Sequence, residues 1–191
     1  FGAGWFGVAA RHGDVVGEYP LLMPMTTEQA TVGGRETFGE PKKIAEITAT
    51  RDGKRLHSVI RRMGFTVAEI RGEVIGEREP SSAERIDFYF KLLPSPEGPG
   101  LLDGDPFLVH SHKSSRERRA EIVEGEVLLG DSPLDPVADL PVRELKSVTL
   151  AQRATIVDAR TVGTVPADDV IPFMHQRYDD LSVLGAADRD D

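Results

Sequence analysis

The chain has 191 residues, with 23 Lys and Arg against 32 Asp and Glu for a formal charge of −9, and is 39% hydrophobic and 29% charged. That is the composition of a folded domain, long enough to bury roughly 70% of the surface its unfolded form exposes. The acidic balance argues against nucleic acid as a partner, and the absence of cysteine excludes disulfide frameworks, thiol nucleophiles, Cys-ligated zinc and iron–sulfur clusters.

The only basic cluster, Arg116 to Arg119, is interrupted by Glu117 and followed by Glu121 and Glu124. No run approaches the ~18 to 20 apolar residues that span a bilayer, and Phe1 to Phe6 has neither the basic start nor the length of a signal peptide. No membrane partner and a cytoplasmic location are therefore expected. The sequence starts without Met, so a missing upstream segment is expected as well.

Most of the chain reads as strands. Residues 8–10, 20–25, 43–51, 55–63, 65–75 and 85–93 are β-branched or alternating stretches bounded by Gly, Pro or Asp. The clearest pair, Ile44 to Thr50 and Leu56 to Ile60, meets across Asp52-Gly53, a dipeptide suited to a tight hairpin. Between residues 20–25 and 43–51 lies a candidate helix. Thr26-Thr-Glu-Gln29 fits a capping box, and Gly33-Gly34 supplies a stop.

Pro94 to Pro106 is rich in Pro and Gly and reads as a long surface loop. Residues 107–112, 120–129 and 145–157 resume the strand pattern. A second helix is expected over Asp168 to Asp180, with Val170, Ile171, Phe173, Met174 and Tyr178 on one face, and residues 185–191 form an acidic tail. One domain over residues 1–184 is the simplest division. The fold class is mainly β (α+β): an antiparallel sheet, closed or sandwiched, with one or two short helices, and spacing alone does not separate barrel from sandwich.

Three constellations could carry chemistry. His110-Ser-His112 places two imidazoles at i and i+2, on one face of a strand, as metal ligands often are. No third ligand is near in sequence, and polar residues entering a loop explain the pair better, so no metal site is expected. Gly2-Ala-Gly4 lacks the strand before and the helix after it that a phosphate-binding turn requires.

The third is Gly34-Arg-Glu-Thr-Phe-Gly-Glu-Pro-Lys-Lys43, where two lysines open an apolar strand. Burial of a lysine favours the neutral amine, which attacks a ketone to form an imine, and a protonated imine is an electron sink. The plainer reading is an exposed strand start, with Lys42 and Lys43 paired to Glu40 and Glu46. Neighbours on a strand face opposite sides, so at most one of the two lysines enters an interior, and desolvation outweighs their mutual repulsion as a cause of activation. Glu40 shares a side with Lys42 if the chain is extended there, as a residue before proline tends to be. It could then carry a proton or hold the ammonium charged. Arg35 and Glu36 read as helix-end contacts, and Met23, Met25, Phe38, Phe65 and Val67 are candidate apolar lining.

The run Gly34-Arg-Glu-Thr-Phe-Gly-Glu-Pro-Lys-Lys43 resembles the Gly-Arg-Glu…Pro-Lys-Lys signature of the acetoacetate decarboxylase family. Gly17-Glu-Tyr19, Thr27-Glu-Gln-Ala30, Phe90-Lys-Leu-Leu-Pro94, Asp139-Leu-Pro-Val-Arg-Glu-Leu145 and the region 148–178 look like its other segments. The resemblance implies that Lys42 forms the Schiff base and that Lys43 tunes it. Lysines activated by a neighbouring cation are the general precedent, with acetoacetate decarboxylase itself the standard example. It also implies a cone-like antiparallel β-barrel or double sheet, a homo-oligomer, a small keto-acid substrate, and no metal or organic cofactor. The family's glutamate would fall near Ala3, but Phe1 to Phe6 contains no acid. Three functions follow as expectations: a lyase decarboxylating a β-keto acid, a pyruvate aldolase or dehydratase using the same lysine, and a non-catalytic keto-acid binder or structural subunit.

Overall fold

The computed structural model of the chain describes residues 1–98 and 100–173. Nine strands form one large sheet: β1 (Phe6–His12), β2 (Val15–Met25), β3 (Lys42–Ile44), β4 (Glu46–Asp52), β5 (Arg55–Arg62), β6 (Phe65–Arg78), β7 (Ser82–Lys91), β8 (Phe107–Leu129) and β9 (Val148–Thr164). Among the described residues the two α-helices are short, α1 (Glu28–Phe38) and α2 (Ala167–Val170), the latter continued by a 3-10 turn over Ile171–Phe173. The expected second helix is described only in this opening part. Met174, Tyr178 and the acidic tail lie outside the described residues.

Strand order is β1-β2-β7-β8-β6-β5-β4, with β3 added on β2 and β9 on β8. Among the described residues the end strands β1 and β4 do not pair, so the closed barrel expected from the resemblance is replaced by an open sheet. Nor is the sheet wholly antiparallel. β2 runs parallel to β3 and makes a parallel bridge to β7 at Glu18 and Asp87. The cause of the first is local: α1 is a crossover between β2 and β3, and a helical return brings the chain back to start a parallel neighbour.

Two strands expected from the sequence merge into one. The basic segment 116–119 does not interrupt β8, which runs for 23 residues and pairs with β7 through residues 107–116, with β6 through 120–129, and with β9 through 107–123. Its charges are paired across the sheet: Arg78 Nη1 and Nη2 donate to Glu117 at 2.7 and 2.8 Å, and Arg51 donates to Glu121 at 2.7 and 3.0 Å. The β4–β5 hairpin closes as expected, with Asp52 opposite Arg55, and residues 94–106 form a loop pinched by a bridge between Pro94 and Leu102.

Helix α1 does not stop at Gly33-Gly34. It runs to Phe38 and ends at Gly39, whose φ of +79° is the left-handed conformation glycine adopts without strain. The capping box is also not formed. Thr27 is the N-cap and makes no side-chain cap, while Thr26 Oγ1 accepts from the Gly2 amide at 2.9 Å, tying the amino-terminal segment to the end of β2.

The residues of β2 alternate between two apolar clusters. Leu22 packs with Val67 and Val137 on one face, whereas Met23 packs with Tyr89 and Val109, joined by Trp5, Phe38 and Ala159, on the other. Val67, a candidate lining residue, therefore belongs to the face opposite Met23 and Phe38. The loop carrying Val137 is fixed by Asp135, 3% exposed, which binds Lys43 of β3 at 2.7 Å and Arg62 of β5 at 2.8 Å.

The Glu117 carboxyl is held down at about 2, from an ordinary 4.5, first by the Arg78 hydrogen bonds and then by the Ser81 amide. A carboxyl depressed by folding contributes stability that is complete above its unfolded value and is lost as pH falls toward the folded one. Glu117→Gln is expected to lower the urea midpoint at pH 6 and to approach the parent midpoint near pH 2. A deficit that stays constant across that window would contradict this linkage.

Candidate active site

The site begins with register. In the parallel pair, Met23 lies beside Lys42 and Pro24 beside Lys43, and aligned residues project to the same side of a sheet. Lys42 thus shares the face of Met23 and Tyr89, and Lys43 shares the face of Leu22 and Val137. The two lysines are almost equally enclosed, with side chains 14% and 13% exposed, but in different surroundings. The plainer reading of an exposed strand start does not hold. Glu46 is not among the ion-pair partners of Lys43, which is Asp135.

Lys42 meets Glu40. Its Nζ lies 2.7 Å from Oε2 of a carboxylate that is itself 10% exposed. A backbone bond from the Lys42 amide to the Glu40 carbonyl, 2.7 Å, folds the chain over Pro41, and this three-residue turn, rather than an extended run, brings the two side chains together. The turn is held from both sides: the Met23 amide donates to the Pro41 carbonyl at 3.0 Å, and Arg35 Nη1 donates to the Lys42 carbonyl at 3.2 Å. Arg35 thus makes the helix-end contact expected of it, and it makes that contact to the strand carrying Lys42.

Lys43 has a different environment. Burial pushes its amine below the ordinary lysine range, and the Asp135 hydrogen bond opposes this without cancelling it, while Arg62 and Arg35 add to the lowering. Desolvation is therefore the dominant influence at this lysine, as the physical argument for buried amines holds.

Beyond Lys42 on the same face lies a polar cluster that the sequence reading did not single out. Tyr89 OH donates to Asp87 Oδ2 at 3.0 Å, and Lys113 Nζ lies 2.5 Å from that oxygen and 3.1 Å from the phenol. Arg85 Nε lies 2.8 Å from Asp87 Oδ1 and 3.4 Å from Glu18, and its guanidinium stacks 4.4 Å from the Trp5 ring centre. Asp87 is wholly buried. Burial, followed by the charges of Asp87 and Glu40, pushes the Tyr89 phenol up, so it remains a neutral donor. The signal in the sequence was Arg85, Asp87 and Tyr89 at alternate positions of a strand whose other face, Ile86, Phe88 and Phe90, is apolar. Polar residues on one side of a strand are ordinarily solvated, and only the tertiary packing shows these to be enclosed.

The histidine pair sits elsewhere. His110 is buried near the start of β8 rather than entering a loop, its Nε2 3.1 Å from His12 Nδ1 and its ring 4.8 Å from that of Phe88. Burial, then the neighbouring His12 and His112, lower its basicity. Among the described residues no group of three His, Asp or Glu is placed to hold a metal ion. Two surface hollows are lined by Thr50, His57 and Arg71, and by Pro80, Arg116 and Ala154, and Lys42 lines neither.

The sequence profile of the family described as acetoacetate decarboxylase (ADC) matches residues 1–164. No curated protein matches the sequence significantly. Among solved structures, an acetoacetate decarboxylase superimposes with a TM-score of 0.71 at 20% identity, over 83% of this chain and 66% of that one. The acetoacetate decarboxylase of Legionella pneumophila gives 0.70 at 18%, over 83% and 65%. The enduracididine biosynthesis enzyme MppR, complexed with the condensation product of pyruvate and imidazole 4-carboxaldehyde, gives 0.67 at 15%, over 84% and 65%. At these identities the likeness is one of fold, and the chain spans about two thirds of the length of the structures it matches. Acetoacetate decarboxylases and an enduracididine biosynthesis enzyme thus share this architecture. With its profile matched over residues 1–164, the chain belongs to the acetoacetate decarboxylase family.

Proposed function

We propose that the chain is a Schiff-base lyase in which Lys42 condenses with the ketone of a small β-keto acid and releases carbon dioxide. The observation that carries the reading is the Lys42–Glu40 pair, 2.7 Å apart and nearly dry, on the face lined by Met23, Phe38 and Tyr89. Transfer of one proton from the ammonium to Glu40 leaves an amine able to attack the carbonyl carbon. Glu40 gives that proton to the departing hydroxyl of the carbinolamine, and loss of water leaves a protonated imine. The bond to the carboxylate then breaks, its electron pair enters the imine, and an enamine and carbon dioxide form. A proton taken up from solvent adds to the enamine carbon and regenerates a protonated imine, which water hydrolyses to the ketone and the Lys42 ammonium. An apolar wall favours a step in which a carboxylate charge disappears. In this reading Lys43 acts through position. Its ion pair with Asp135 holds the three-residue strand so that the preceding side chain is committed to the opposite face. A homo-oligomeric assembly, carried over from the family resemblance, belongs to the same proposal.

A second reading, condensation of pyruvate with an aldehyde, is favoured by two observations. Phe1 to Phe6 contains no acid, and the cations Arg85 and Lys113, both anchored on Asp87, lie on the Lys42 face, where they could retain a substrate carboxylate. Strong binding of that carboxylate stabilises the ground state and opposes its loss.

Borohydride reduction in the presence of acetoacetate or pyruvate, followed by peptide mass spectrometry, is expected to place the adduct on Lys42. Lys42→Arg is expected to abolish it, and Lys43→Arg, which keeps the charge for Asp135, to retain it. An adduct that survives Lys42→Arg would overturn the assignment. Product analysis separates the two reactions: carbon dioxide from acetoacetate supports the lyase, and consumption of aldehyde only when pyruvate is present supports condensation. Stoichiometric adduct with neither product would reduce the chain to a binder.

A further inference from the structure

Helix α1 contains two adjacent glycines, Gly33 and Gly34, and neither adopts the left-handed conformation that demands glycine. In the middle of a helix each is less favourable than alanine. Helix geometry therefore explains neither of them. Their surroundings differ sharply. A Cβ at Gly33 would meet nothing within 4 Å, whereas a Cβ at Gly34 would lie 2.5 Å from both Cδ and Nζ of Lys42 and closer still to Oε2 of Glu40.

The backbone around Gly34 is held in place, so the side chains of Lys42 and Glu40 are what must shift to make room. The end of the helix is seated on β7, since a Cβ at Gly39 would lie 2.5 Å from the Phe90 carbonyl oxygen and 2.6 Å from the Lys91 backbone. The strand that bears Lys42 is tied to α1 by the Arg35 bond to its carbonyl and to β2 by the Pro41 carbonyl. Both side chains that Gly34 faces are largely enclosed. The bare backbone of the helix is thus one wall of the space in which the amine and the carboxylate meet.

We propose that Gly34 is a positioning residue, whose missing side chain sets where the Lys42 amine and the Glu40 carboxylate come together. The catalytic consequence rests on the Schiff-base reading above; the steric claim does not. A methyl group at position 34 occupies the volume of the pair, so one or both side chains must turn toward solvent. A methyl group at position 33 leaves them untouched.

The test compares Gly33→Ala with Gly34→Ala in the full chain. Gly33→Ala is expected to raise the urea midpoint and leave borohydride trapping with acetoacetate or pyruvate unchanged. Gly34→Ala is expected to retain the parent circular dichroism and to lose at least ten-fold in trapping rate. The Lys42 Nζ and Cε resonances in protein made with 13C,15N-lysine are expected to shift in Gly34→Ala and not in Gly33→Ala. If the parent gives no adduct, the Schiff-base reading fails while the resonance comparison still decides the role of Gly34. Unchanged Lys42 resonances and trapping in Gly34→Ala would overturn the proposal. Should Gly34→Ala not fold, the double variant Gly34→Ala with Glu40→Ala, which removes the group nearest the new methyl, is expected to restore folding; failure of the double variant would also overturn it.

Discussion

The arrangement depends on a three-residue strand, β3, held in parallel register against β2. Because Met23 pairs with Lys42 and Pro24 with Lys43, two consecutive lysines are sent to opposite faces of the sheet, each with a carboxylate of its own. A slip of one residue would exchange them, delivering Lys43 to the side of Glu40, Met23 and Tyr89 and Lys42 to the side of Asp135. Several contacts oppose such a slip. The Lys43–Asp135–Arg62 network anchors one face, Arg35 holds the Lys42 carbonyl, and the turn over Pro41 and the left-handed Gly39 fix the approach from the helix.

Electrostatics on the two faces follow from this division. Asp135 is almost fully enclosed and serves two cations, so its face carries an excess of buried positive charge and Lys43 is lowered by desolvation in spite of its partner. On the other face the charges alternate: Lys42 with Glu40, and Lys113 and Arg85 with Asp87. Tyr89 stands between the two groups, hydrogen-bonded to Asp87 and sensing the Glu40 charge. Such paired charges are expensive to separate once buried, and a proton can move between partners without leaving a lone charge in the interior. That property suits a site where an amine must alternate between charged and neutral forms.

Much of this was legible in the sequence, and the remainder depended on packing. The strands over residues 20–25 and 55–63 could be read from alternation and from Asp52-Gly53, whereas the single strand expected over 43–51 divides at Ala45 into β3, paired with β2, and β4, paired with β5. The Gly-Arg-Glu…Pro-Lys-Lys run pointed to both lysines and to the family. The parallel β2–β3 pair was within reach too, because a helix between two strands is the usual sign of a parallel return. Reading every strand as antiparallel overlooked it. Other features had no local signal. Gly33-Gly34 looked like a stop because glycine weakens helices, yet α1 continues through it and ends at Gly39. The basic run 116–119 looked like a break in β8, yet Glu117 and Glu121, the one within that run and the other just beyond it, find arginine partners on β6 and β4. Asp135 and Asp87 lie 92 and 26 residues from the lysines they bind, Lys43 and Lys113, and only the folded sheet brings them close.

The most direct test of the account is a crystal structure of the protein after borohydride reduction with pyruvate or acetoacetate. Continuous density from Lys42 Nζ into the reduced ligand, on the face of Met23 and Tyr89 and with Lys43 still bound to Asp135, is the expected result. Density joined to Lys43, or a bare Lys42 in a protein that has bound the ligand elsewhere, would contradict it.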